Sequence, residues 1–125
     1  MEKEFIPYEQ AVAIKELGFD EPCFGYYDNI GKLFFNTNGQ PVGNDWVWVV
    51  PTDAPLYQQA FRWFREKYNI DGFVRIEPLN EKYGFVIYNR EKDNFKEFNA
   101  DYTSVEEAEL ACINKIIELV KTKNK

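Results

Sequence analysis

The run 54-APLYQQAFRWFREKYN-69 decides how the rest of the chain is arranged. Tyr57, Ala60, Phe61, Phe64 and Tyr68 recur at the three- and four-residue spacings that gather side chains on one face of an α-helix. Gln58, Gln59, Arg62, Arg65 and Glu66 fall on the opposite face. Thr52 or Asp53 is placed to cap the start, Pro55 suits the first turn, and Asn69 suits the end. Lys67 lies within the apolar arc and must run its stem out to water. A helix with so many rings on one side needs a broad apolar surface beneath it, and the strand-like runs on either side can supply one.

Upstream, Pro7 to Leu17 reads as a first helix ended by Gly18, with Ile14 and Phe19 placed to make the apolar contact of a Schellman end. Cys23 to Asp28 and Lys32 to Asn36 read as short strands around the turn Asp28-Asn29-Ile30-Gly31. Asn36 to Asn44 is a polar loop, and Trp46 to Val50 is an unbroken apolar run that reads as a strand covered on both faces.

Downstream, Gly72 to Glu77, Tyr83 to Asn89 and Phe95 to Ala100 read as strands joined by short polar loops. Alternation places Phe73, Arg75 and Glu77 on one face, with Val74 and Ile76 on the other. Thr103-Ser104-Val105-Glu106-Glu107 offers a capping box in two registers before a last helix reaching Val120. The expected fold is α+β, helices packed on antiparallel sheet in the order α-βββ-α-βββ-α, as a single domain over residues 1–125.

Of the 125 residues 45% are hydrophobic and 29% charged, the balance of a globular chain and not a disordered one. The formal net charge is -6, and residues 1–31 hold seven acids against two bases. That excess argues against nucleic acid as a partner. No apolar run approaches the ~20 residues that span a bilayer, and nothing near Met1 reads as a signal peptide. A cytoplasmic protein with free thiols and no membrane partner is expected.

The chain has no histidine, which removes the commonest general base and metal ligand. No phosphate loop or paired Cys-x-x-Cys is present, and Asn36-Thr37-Asn38-Gly39 lacks the carboxylates of a calcium loop. No catalytic residue, cofactor or metal is assigned, although carboxylates such as Glu21 or Glu66 leave acid–base chemistry open. Cys112 falls in the apolar arc of the last helix, and Cys23 has acidic neighbours that work against a reactive thiolate.

Three surfaces are candidates for binding. Arg62 and Arg65, flanked by Trp63, form a strip able to hold phosphate or stack on a base, or else a solvated face paired with acids. Trp46, Trp48, Tyr26 and Tyr27 could line an aromatic pocket for a small molecule. On the last helix, Leu110, Ile113, Ile117 and Val120 form a second apolar stripe, covered either within the chain or by another subunit, as in a homodimer.

The stretches Glu9-Gln10-Ala11 through Gly25-Tyr26-Tyr27-Asp28 and Ala54-Pro55-Leu56 through Phe61-Arg62-Trp63-Phe64-Arg65-Glu66-Lys67-Tyr68, with the ending Tyr102-Thr103-Ser104-Val105-Glu106-Glu107-Ala108-Glu109, resemble those of small uncharacterised proteins of bacterial genomes and their phages or mobile elements. That resemblance implies no activity. Residues 55–122 are also similar in element order to double-stranded-RNA-binding domains. Where that family carries phosphate-gripping lysines, this chain has Thr103, Ser104, Glu106 and Glu107. A non-catalytic module that binds a protein partner or its own copy is the function expected.

Overall fold

The computed structural model describes residues 2–35 and 52–123. The chain divides into two compact units, 1–59 and 60–125. The α+β class and the element order agree with the sequence reading, with a short 3₁₀ turn, Glu2–Glu4, added at the start.

In the first unit, α1 (Tyr8–Glu16) starts one residue past Pro7 and stops at a Schellman end. Gly18 takes φ +106°, Phe19 N–H donates to Ile14 O at 3.2 Å and Gly18 N–H to Lys15 O at 3.0 Å. Ile14 and Phe19, the expected apolar pair, are both buried. Strands β1 (Gly25–Tyr27) and β2 (Leu33–Phe35) pair antiparallel around the expected turn. Asp28 Oδ1 fixes that turn by accepting from Ile30 N–H at 3.0 Å and Lys32 N–H at 2.8 Å.

The other neighbour of β1 is β3 (Thr52–Ala54), paired in the register Gly25↔Ala54, Tyr26↔Asp53, Tyr27↔Thr52. Thr52 and Asp53 are therefore extended backbone in a ladder, and neither caps the central helix. That helix, α2 (Tyr57–Tyr68), begins only after Pro55 and Leu56 have bonded the N-terminal segment. Ile6 N–H donates to Pro55 O at 3.0 Å, and Phe5 bridges Leu56. The expected loop and strand from Asn36 to Val50 lie outside the described residues.

The boundary between the units falls inside α2. Its end is as expected, with Asn69 in the left-handed region at φ +58°. From there β4 (Ile70–Glu77), β5 (Lys82–Asn89) and β6 (Asn94–Tyr102) form a three-stranded antiparallel sheet with β5 in the middle. β4 and β5 match residue for residue from Ile70↔Asn89 to Glu77↔Lys82, whereas β6 slips out of register between Tyr83 and Phe85. Each hairpin closes through four residues whose last, Glu81 or Asp93, has positive φ.

The last helix, α3 (Val105–Lys123), uses the later capping register. Glu107 N–H donates to Ser104 Oγ at 3.2 Å, and the Glu107 carboxylate accepts from the Thr103 N–H and hydroxyl. α3 lies on one face of the sheet, where Gly72 leaves it room. A Cβ on Gly72 would sit 2.7 Å from Ile116 Cδ1, 2.8 Å from Cys112 Sγ and 3.3 Å from a Phe61 ring carbon. Phe64, Ile113, Ile116 and Val120 are fully buried.

Gly72→Ala overpacks the seam and is expected to lower unfolding free energy by about 1–3 kcal/mol in guanidinium titration, despite the usual entropic gain of Gly→Ala. Cys112→Ala in the same background should recover part of the loss.

Candidate functional site

Strand alternation sets what the far face of the second sheet carries. Gly72, Val74 and Ile76 share the α3 side, so Asp71, Phe73, Arg75 and Glu77 share the other. Cross-strand register adds Tyr88 and Phe95 beside Asp71, and Val86 and Glu97 beside Phe73. The rings touch: Phe73 and Phe95 centroids are 6.5 Å apart and edge-on, and Tyr88 and Phe95 are 5.3 Å apart. Phe73 is 46% exposed and Phe95 60%, far more than a core ring.

Charges frame this aromatic cluster. Asp71 is clamped at one end, its Oδ2 2.7 Å from Arg90 Nε and its Oδ1 3.8 Å from Arg65 Nε. The Tyr88 hydroxyl donates to Asp93 Oδ1 at 2.8 Å, and that bond raises the phenol's pKa. At the other end Arg75 Nη1 lies 3.7 Å from Glu77 Oε2, while Arg75 Nε is buried with no hydrogen-bond partner among the described residues. Two apolar side chains of β4 are thus exposed on opposite faces, Phe73 on this one and Ile76, at 63%, on the α3 side.

The residues expected to bind are differently disposed. Trp63 is 5% exposed and packs edge-on against Phe64 and Tyr68, so it offers no ring to a base. It sits one turn from Ala60, and the covered arc of α2 is wide enough to include it. Arg62 and Arg65 are exposed as expected, but Arg65 faces Asp71. Lys67 does reach out, its Nζ 5.6 Å from the Trp63 ring centroid.

Tyr26 and Tyr27 cannot line one pocket, because adjacent residues of β1 point to opposite faces. Tyr26 stacks on Phe34 at 5.4 Å, whereas Tyr27 is buried with its hydroxyl donating to Ile6 O at 2.6 Å. Trp46 and Trp48 lie outside the described residues. On α3 the second stripe is no free interface. Ile113, Ile117 and Val120 are buried within the chain and Leu110 is half-buried, which answers the choice left open by the sequence. An open groove of about 330 Å³ lies along α3 beside Asn114, Ile117 and Lys121.

Sequence reasoning overlooked the Phe73–Tyr88–Phe95 cluster. The available signal was Phe73 itself, an aromatic ring alternating with Arg75 and Glu77 on the polar side of a strand.

Other chemistry is muted. No group of three or more metal-ligating side chains occurs among the described residues, and none of their helices is long and apolar enough to cross a membrane. Both cysteines are buried and neither forms a disulfide. Burial, with Asp53 and then Glu21 nearby, pushes Cys23 up to about 12, and burial beside Glu109 does the same for Cys112. Comparison with protein-family models, curated proteins and solved structures finds no match to this chain.

Ellman's reagent near pH 8, about the pKa of a free thiol, should react with neither cysteine in the folded chain and with both in guanidinium. Burial also holds the Asp53 carboxyl above its ordinary 3.8, against the pull of Lys15. A raised folded pKa means the native state binds the proton more tightly, so this stabilisation is complete below the ordinary value and fades as pH rises through the folded one. Asp53→Asn should therefore melt higher than wild type near neutral pH, with the difference closing toward pH ~4.

Proposed function

We propose that this chain is a small non-catalytic module that works by binding another protein, or a further copy of itself, through its second sheet. The observation that carries this reading is the connected Phe73–Tyr88–Phe95 cluster, half-exposed on the face away from α3. Exposed rings gathered among charged side chains have the composition of a protein-binding patch. Phosphate recognition is poorly supported, since Arg65 and Arg90 already face Asp71 and Trp63 is buried. The setting we propose is the one the resemblance implies, a bacterium or its mobile elements.

Replacing Phe95 by a photoreactive phenylalanine tests this in producing cells. Irradiation should give one or a few discrete cross-linked bands. The same probe at Leu79, 94% exposed on a hairpin loop, should give none. Equal labelling at both positions, or none at 95, would remove the reading.

A further inference from the structure

We infer that the edge of β4 away from β5 pairs antiparallel with the same edge of a second copy of this chain, about a two-fold axis through Phe73, joining the second sheets of the two copies into one. The inference deepens the proposed function, resting on it only in taking the chain to act by association.

Three observations carry it. First, β4 has β5 on one side and, among the described residues, no strand on the other, with eight consecutive residues in unbroken register and no proline. Edges of that kind invite strand addition. The opposite edge, β6, is interrupted by its register slip, an irregularity that blunts an edge.

Second, Phe73 and Ile76 are exposed on opposite faces of the same strand. A partner laid on either face would cover only one of them. A strand alongside β4 reaches both, because it continues both faces of the sheet.

Third, the sequence of β4 is self-complementary in one register. With Phe73 on the axis, its ring meets Phe73 of the other copy, Gly72 lies opposite Val74, and exposed Ile76 lies opposite Ile70. Asp71 then lies opposite Arg75, twice by symmetry, on the face both already share. A carboxylate has about four acceptor positions, so Asp71 can take a further donor beyond Arg90 and Arg65. Arg75, one guanidinium nitrogen of which lies 3.7 Å from Glu77 Oε2, has further N–H groups to give and is the donor placed there. Moving the axis to Val74 sets Asp71 against Glu77 and Phe73 against Arg75, which disfavours that register.

Light scattering of the whole chain at about 100 µM, well above a micromolar dissociation constant, should return twice the chain mass. Arg75→Asp alone and Asp71→Arg alone each oppose like charges and should weaken association about tenfold or more. Mixed in equal amounts, the two variants restore both opposite-charge pairs and should reassociate. A monomeric wild type, or a dimer indifferent to both reversals, overturns the inference.

Asp71→Arg places a third cation beside Arg65 and Arg90 and can cost the fold, so Phe73→Cys supplies an independent test. A short thiol cross-linker should capture it as a dimer while the buried Cys23 and Cys112 stay silent, and absence of that dimer counts against the axis. The Phe95 probe reads the aromatic face and these variants read the β4 edge, so either can fail while the other stands.

Discussion

Between α3 and the second sheet a side chain is missing, and the second unit is organised around that gap. Gly72 lets Ile116 and Cys112 come down to the strand backbone closer than a Cβ allows, and it leaves a Phe61 ring carbon of α2 a tight 3.3 Å from where that Cβ would stand. Interiors pack at crystal-like density, so a contact this close fixes the height and rotation of a nineteen-residue helix with little slack. The same fit decides which face of the sheet is covered. Once Gly72, Val74 and Ile76 face α3, alternation sends Asp71, Phe73 and Arg75 the other way, and the exposed aromatic cluster follows from the seam.

In the second sheet, β4 leaves Phe73 and Ile76 exposed and β6 leaves Phe95. The central strand β5 buries Gly84, Phe85, Val86 and Ile87 in succession, as a strand flanked on both sides should. β4 has one strand neighbour among the described residues, and its apolar residues appear at the surface on both faces. Its charges alternate in sign along the exposed face, Asp71 then Arg75 then Glu77. The local balance there differs from the acidic character of the chain as a whole.

Much of this was legible in the residue pattern, and the failures share a physical cause. Spacing located α2, α3, the Schellman end and the Asp28 turn because each depends on residues a few positions apart. Pattern gives the direction of a helix face but not the width of the arc that neighbours cover. Pattern therefore puts Trp63 beside an open arginine strip and gives Ile113, Ile117 and Val120 no settled cover. Thr52 and Asp53 have good capping chemistry, but pairing with β1 satisfied their backbone first. Which strand is central and which lies at an edge depends on long-range order, so the exposure of Ile76 on the α3 side could not be read from alternation.

The hairpin between β4 and β5 has a use of its own. Its loop carries Leu79 almost wholly in solvent and joins strands held by eight matched pairs, so little of the fold depends on the loop's own sequence. Extra residues spliced between Leu79 and Asn80 would lengthen a closed loop at modest entropic expense, leaving the ladder to hold its register. The protein could therefore display a grafted peptide at that tip, well along the sheet from the α2–β4 corner.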